Sequence, residues 1–303
     1  MPEPGYLTLH RRGELIERAE KLERLLSPCR LCPWECGAER TSGHPGRCRS
    51  TNQLKVSSTN LHFGEEPPIS GQRGSGTIFL ANCTLRCLFC QNYPISQMGN
   101  GVEMGAQELA DEMVALQKKG AHNINLVTPT HWTAHIVRAL SIAADRGLTV
   151  PLVWNTSGYE RVETLRLLEG IVDIYLPDLK YGDDANALSL SGCENYFATA
   201  TAAISEMFRQ VGLLEVDSEG IGVKGLIVRH MVLPQNLSGT PGVLSWIREN
   251  LGSEVSVALM NQYFPAWKAA SSPPLDKPLS SEEYALQRET FFALGFNNGW
   301  VQE

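Results

Sequence analysis

Between residues 77 and 260 the chain alternates short apolar runs of β type with runs of helical periodicity, and this alternation restricts the fold more than any other feature. Six β runs stand out, at 77–81, 124–128, 152–155, 172–176, 225–232 and 256–260. Helical stretches fall between them at 107–119, 133–146, 161–169, 195–211 and 241–251; the first carries Leu109, Met113 and Leu116 on one face and stops at Gly120. Such a repeat produces a parallel sheet, because parallel neighbours need a crossover long enough to hold a helix. Six units over roughly 185 residues come to about 30 each, the size of a βαβ repeat, whereas an eight-fold barrel takes roughly 250. The expected fold is α/β, a partial (β/α)6 barrel of TIM-like character.

The flanks read differently. Residues 11–26 place Leu15, Ala19, Leu22 and Leu26 at helical spacing with charges between them, an amphipathic packing helix. At the other end a Pro-rich linker, Pro273-Pro-Leu-Asp-Lys-Pro278, precedes a helix that Ser280 and Glu283 cap, with Tyr284, Leu286, Phe291, Phe292 and Leu294 as its apolar surface. The expected organisation is an N-terminal helix, cysteine-rich segment and Pro/Gly-rich loop over 1–72, the barrel over 73–262, and a C-terminal helical extension over 263–303. A net charge of −7 with no basic run argues against a nucleic-acid partner. The start, Met1-Pro-Glu-Pro-Gly-Tyr-Leu, lacks both parts of a signal peptide, and no apolar run reaches the roughly 18 residues of a membrane span, so a cytoplasmic protein with no membrane partner is expected.

In that compartment cysteines are metal ligands more often than disulfides, and seven of the eight here fall into two groups. The first, Cys29-Arg-Leu-Cys32-Pro-Trp-Glu-Cys36 followed by Cys48, has the pattern C-x2-C-x3-C-x11-C. It suits first a closed tetrahedral zinc site, and four thiolates also suit an auxiliary iron–sulfur cluster; unmetallated thiols are the third reading. His44 is a spare loop residue, since four cysteines already suffice. The second group is Cys83-Thr-Leu-Arg-Cys87-Leu-Phe-Cys90. A helical turn would put Cys87 and Cys90 on one face, with Cys83 closing the triangle from the preceding loop. A four-iron cluster normally takes four thiolates, so three leave one iron open to a ligand; a structural zinc ion would need a fourth donor that is not nearby. Cys193 stands alone and reads as a buried, inert thiol.

Between the two groups, His62-Phe-Gly-Glu-Glu-Pro-Pro-Ile-Ser-Gly71 is an ordered turn region. Glu65 and Glu66 are read there as solvated or ion-paired carboxylates ahead of an acid–base pair. In a barrel of this kind chemistry gathers at the C-terminal strand ends. Those ends are polar throughout: Thr128-Pro-Thr130-His131, Asn155-Thr-Ser157, Asp178-Leu-Lys180, Arg229-His230 and Met260-Asn-Gln-Tyr263.

The spacing Cys-x3-Cys-x-aromatic-Cys, with Phe89 as the aromatic, resembles the signature of the radical S-adenosylmethionine (SAM) superfamily. The likeness extends over essentially the whole chain to long-chain homologues of pyruvate formate-lyase activating enzyme. It includes the four-cysteine segment, Gly-Glu-Glu-Pro-Pro-Ile-Ser-Gly, Gln91-Asn92 and Gly299-Trp300. The resemblance implies a [4Fe–4S] cluster on Cys83, Cys87 and Cys90 whose open iron chelates SAM, with Phe89 near the adenine. It implies reductive cleavage to a 5′-deoxyadenosyl radical, an electron donor such as flavodoxin or ferredoxin, and hydrogen abstraction from a protein or peptide in the manner of glycyl-radical activation. A small-metabolite substrate and a cluster-binding sensor without turnover are the alternatives. Asn155, Ser157, Asp178 and Lys180 inherit the hold on SAM from Asp-Thr-Asn-Gly and Asp-Leu-Lys, with Arg229 beside them. Thr128 and Thr130 stand where the activating enzymes have Gly-Gly-Glu for the SAM amino group, and Asn155 replaces a charged Asp. His131, Arg229, His230 and Tyr263 are candidates for the substrate side.

Overall fold

The computed structural model describes residues 3–302. In chain order the elements are α1 (Gly5–Arg11), α2 (Glu14–Glu23), β1 (Lys55–His62), α3 (Pro67–Ser70), β2 (Ser75–Leu80), α4 (Tyr93–Ser96) and β3 (Val102–Glu103). There follow α5 (Ala106–Lys118), β4 (Ile124–Val127), α6 (Thr133–Asp145), β5 (Leu152–Thr156), α7 (Val162–Leu167), β6 (Ile174–Pro177), α8 (Asp184–Ser191), α9 (Tyr196–Val211) and β7 (Glu215–Val216). The chain ends with β8 (Gly222–Met231), α10 (Thr240–Asn250), β9 (Ser256–Met260), α11 (Ser281–Ala293) and β10 (Gly299–Val301).

The six expected strands are β2, β4, β5, β6, β8 and β9, and they lie side by side in that order, each parallel to the next. Among the described residues no pairing joins the two ends of the sheet, so the barrel is open and partial. The sheet runs further than expected at both edges. β10, which contains Gly299 and Trp300, continues the parallel run beyond β9, and β1 pairs antiparallel with the opposite edge at β2, with β3 outside it. Short β7 pairs antiparallel with the start of β8. The helix expected over 11–26 is α2, and α1 is an additional helix before it, set off by a turn at Gly13 with φ +74°. Capping of α11 by Ser280 and Glu283 is as the sequence suggested.

Side chains alternate along the strands and sort into two cores. Ile124, Leu126, Trp154 and Tyr175 face out and join the helices in one large cluster that also takes in Leu15, Ala19 and Leu22 of α2. The inner faces supply a smaller cluster of Val153, Ile174, Leu176 and Ile227, and its fifth member is Ile69 of α3, fully buried. The loop after β1 therefore enters the barrel from the end at which the parallel strands begin, since His62 lies opposite Ser75, and plugs it. Asn123 secures the plug, donating from Nδ2 to the Ile69 carbonyl at 2.8 Å. No helix among the described residues is long and apolar enough to cross a membrane.

Candidate active site

Above that plug a cavity of about 330 Å³ opens at the C-terminal strand ends. Its walls bring together Cys87, Phe89 and Cys90 from the loop after β2, Asn155 from β5, Asp178 and Lys180 after β6, and Arg229 from β8. The polar groups form one connected network. Asp178 accepts from Arg229 Nε at 2.9 Å and from Lys180 Nζ at 2.5 Å; Arg229 Nη2 donates to Asn155 Oδ1 at 2.6 Å. Burial alone would raise the Asp178 carboxyl, but Arg229 and Lys180 hold it below the usual carboxylate range. Burial works likewise against Lys180 and Arg229, and Asp178 outweighs it, so both stay cationic.

Glu65 completes the network from the plug. Its Oε1 accepts from Asn125 Nδ2 at 3.0 Å and Asn155 Nδ2 at 3.4 Å, and its Oε2 lies 3.3 Å from Arg229 Nη1. The ion-paired reading of this carboxylate is the one the geometry bears out. Burial holds neighbouring Glu66 above the ordinary carboxylate range, with Arg229 pulling the other way. Only tertiary structure could have brought Glu65 into the site, because its segment enters through an antiparallel strand whose Ser/Thr/Asn-rich sequence looks like loop, whereas Asn125 lies in the expected strand β4.

The cysteine loop is a turn, not helix: Cys90 N–H reaches the Cys87 carbonyl at 3.3 Å, and α4 begins only at Tyr93. The trio's sulfurs each meet a hydrogen-bonding neighbour. Leu85 N–H donates to Cys83 Sγ at 3.4 Å, Ser191 Oγ to Cys87 Sγ at 2.9 Å, and Ser96 Oγ lies 3.0 Å from Cys90 Sγ. Burial, reinforced by the other two thiols, pushes Cys83 up to about 12. Phe89 is buried edge-on between Tyr181 and Tyr263.

Other candidates lie elsewhere. Thr130 is a correction: its hydroxyl is committed to Glu160 Oε1 at 2.7 Å, in a buried cluster with Thr156 and Trp154, and it does not face the cavity. Thr128 also lies off the cavity wall, in a left-handed conformation at φ +62° that is unusual for a β-branched residue. Ser157 offers its carbonyl to Tyr196 OH. His131 bonds the Ala81 carbonyl, and His230 bridges the Leu179 carbonyl and Thr240 Oγ1. Tyr263 donates to the Leu275 carbonyl. These are structural placements, and of the four substrate-side candidates only Arg229 lines the cavity. Cys193 is fully buried, as expected.

A family model described as "Radical SAM superfamily" matches residues 77–227, the stretch from β2 to the middle of β8. The chain is also 30% identical over 274 residues to "Uncharacterized protein MJ0674" of Methanocaldococcus jannaschii, covering 88% of this chain and 75% of that one. This chain belongs to the radical SAM superfamily. Among solved structures, it is similar to Streptococcus suis SuiB (13% identity, TM-score 0.47, 76% of this chain and 48% of that one). It is similar also to HydG, a maturase of the [FeFe]-hydrogenase (12%, TM-score 0.48, 72% and 54%). It spans about half the length of these two, and likenesses this weak say nothing of chemistry.

Membership implies a [4Fe–4S] cluster and SAM. Among the described residues no group of three or more His, Cys, Asp or Glu side chains is placed so that it could hold a metal ion. The donor chemistry nonetheless fits a cluster. Three thiols share one turn, each has a hydrogen-bonding partner of the kind that steadies a thiolate, and Cys87 and Cys90 border a cavity carrying both charges of a zwitterionic ligand's complement.

Proposed function

We propose that this radical SAM enzyme acts on a protein or peptide, in the manner of the activating enzymes it resembles, with Cys83, Cys87 and Cys90 holding the cluster. When bound, the reduced cluster supplies one electron that splits SAM into methionine and a 5′-deoxyadenosyl radical, which takes a hydrogen atom from substrate. The chain's own part is to bind, orient and exclude water. Lys180 and Arg229 suit the carboxylate of SAM; Glu65 and Asp178 suit its ammonium; Phe89 offers an apolar wall to the adenine.

The observation that carries the macromolecular reading is the size of the cavity. About 300 Å³ is the low end of pockets that hold a drug-sized ligand, so SAM alone takes most of the 330 Å³ and the bulk of the substrate stays outside. The rim supports this. Gln91 Nε2 bonds the Gln262 carbonyl, Tyr93 stacks on Trp267 at 4.7 Å, and Phe264 and Trp267 are exposed apolar surface of the kind found at partner-binding faces. A small electron-carrier protein such as flavodoxin or ferredoxin would serve as reductant.

The test has two stages. Anaerobically reconstituted protein with SAM and dithionite should form 5′-deoxyadenosine, and Cys83→Ala should not; absence of product from intact, cluster-loaded protein refutes the enzyme reading. Deuterated extract from the source cells is then split into macromolecular and small-molecule fractions. Deuterium should appear in 5′-deoxyadenosine only with the macromolecular fraction, and its appearance only with the other would reassign the substrate.

A further inference from the structure

The N-terminal cysteines take no part in the cavity. Cys29, Cys32 and Cys48 are buried and Cys36 is exposed, and among the described residues they make no group that could hold a metal ion. What their segment does present is charge. Arg47 and Arg49 flank Cys48, and both are exposed. They sit against the outer side of the loop that carries Cys83, Cys87 and Cys90. Three carbonyls of that loop are held from outside it: Thr84 by Trp34 Nε1 at 2.8 Å, Leu85 by Gln97 Nε2 at 3.3 Å, and Leu88 by the Ala269 N–H at 3.0 Å. Each anchor has a cation beside it. The Arg47 guanidinium lies over the Trp34 ring at 3.4 Å, Arg49 Nη1 donates to the Gln97 carbonyl at 2.7 Å, and Lys268 precedes Ala269. A fourth cation, Arg86, belongs to the loop itself and donates from Nη2 to the Arg47 carbonyl at 2.8 Å. Among the described residues none of the four makes an ion pair.

Arg49, Arg86 and Lys268 line a recess of about 440 Å³ together with Gln97, Met98 and Trp267. It shares no residue with the cavity, and the cysteine loop is the partition between them, giving Cys87, Phe89 and Cys90 to the cavity and Arg86 to the recess. Met98 and Trp267 are exposed, so the recess has apolar walls within a positive rim. Trp267 also stacks on Tyr93 beside the mouth, so the two faces adjoin. In a chain of net charge −7, four unpaired cations gathered on one loop are a local reversal of sign. Such a patch steers an acidic partner to it and fixes its orientation. Electron-transfer encounters are small and transient, so a few charges around an apolar centre are enough to make one.

We propose that this recess is the docking face for an acidic electron carrier of the flavodoxin type. The flat, apolar edge of its flavin sits between Met98 and Trp267, and its carboxylates lie on Arg47, Arg49, Arg86 and Lys268. A flavin edge suits the recess because two of its walls are an aromatic ring and a thioether. One electron leaves the reduced flavin and is taken up by the cluster, from the side of the loop that faces away from the cavity. Reductant and substrate then approach by different faces, and neither has to leave for the other to bind. This inference rests on the radical reaction proposed above.

The test titrates the cluster-loaded chain with oxidised flavodoxin by calorimetry at low and at physiological salt. Binding should weaken as salt rises, and Arg49→Glu with Lys268→Glu should weaken it by about 10-fold. Lys118→Glu with Lys119→Glu, the same change in charge at the exposed end of α5, should leave it unaltered, and Arg49→Lys with Lys268→Arg should retain it. In turnover, the Arg49→Glu, Lys268→Glu protein should need about 10-fold more reduced flavodoxin to form 5′-deoxyadenosine and should match the parent when dithionite is the reductant. The absence of saturable binding at low salt overturns the proposal, as does binding that the double reversal leaves unchanged. Tighter binding of an acidic ferredoxin, or of duplex DNA, through the same two residues would give the face to another partner and overturn it equally. If the dithionite reaction falls in the double variant, the loop has been disturbed, and Lys268→Glu alone decides, since that side chain makes no hydrogen bond among the described residues. A parent protein that forms no 5′-deoxyadenosine with dithionite refutes the radical reaction, whereas the titration reads the docking face by itself.

Discussion

Asp178 is the anion that Lys180 and Arg229 share, and Asp178→Asn asks whether the charges of the cavity hold one another in place. The carboxylate takes Lys180 on one oxygen and Arg229 on the other, at 2.5 and 2.9 Å. Hydrogen bonds between charged partners contribute about 1.5–3 kcal/mol each. Asparagine keeps an oxygen for Arg229 but turns an amide NH₂ toward Lys180, so Glu65, 3.3 Å from Arg229, is the anion left for two cations. The side chains of Asp178 and Lys180 are 15% and 20% exposed, so water recovers part of the loss and places it at about 3 kcal/mol, the low end for breaking a buried pair. For a chain of 303 residues the unfolding entropy is about 0.6 kcal/mol/K, from about 2.1 cal/mol/K per residue, so the midpoint should fall by about 5 °C. Thermal denaturation of the iron-free chain at pH 7.5, followed by circular dichroism, reads this directly. Adding Lys180→Met removes a stranded cation and should return about 1 kcal/mol. A variant that melts within 1 °C of the parent refutes the reasoning. So does a Lys180→Met cost as large in the variant as in the parent, because the two positions would then be uncoupled.

His230 sets a pH dependence. Burial pushes its imidazole down to about 4, while its unfolded value is near 6.5. The unfolded chain then binds the extra proton first, so the stability His230 contributes is complete above pH 6.5 and is lost as pH falls to 4. Urea midpoints should decline through that window, and His230→Gln, which can keep a donor for Leu179 and an acceptor for Thr240, should flatten the decline. Thr128→Gly should raise stability by about 1 kcal/mol, because a left-handed conformation costs a residue with a Cβ roughly 1–2 kcal/mol; a loss on denaturant titration would show that Thr128 makes a contact worth more than its strain. Gly158→Ala should cost more than about 2 kcal/mol and depress 5′-deoxyadenosine formation, since its methyl would lie 2.3 Å from the Asp178 carbonyl at φ +78°. Equal melting temperatures would show that the loop after β6 yields.

The six parallel strands were legible because buried parallel strands are short continuous apolar runs, and Gly120, Gly147 and Gly170 punctuate the helices between them. Asn155, Asp178, Lys180 and Arg229 were legible too, since a strand end in a barrel is an address. The edge strands were not. β1 has Val56 as its single buried residue and reads as loop, and β10 is three residues long. Thr130 misled for a related reason: a threonine after a strand offers the same hydroxyl whether it faces the lumen or, as here, satisfies a buried glutamate one strand away. Glu65 was visible only as one of two loop carboxylates, because nothing local says that a Pro-Pro turn dips into a barrel.

That dip closes the lumen at the end where the parallel strands begin. With Ile69 seated among β5, β6 and β8 and Glu65 tied above it, nothing that enters from the cluster side passes on through that end. If the proposed macromolecular substrate lies across the mouth, traffic is last in, first out: the substrate would have to lift before spent methionine and nucleoside could go. While it stayed, such a substrate would also be the stopper that keeps solvent from the reaction.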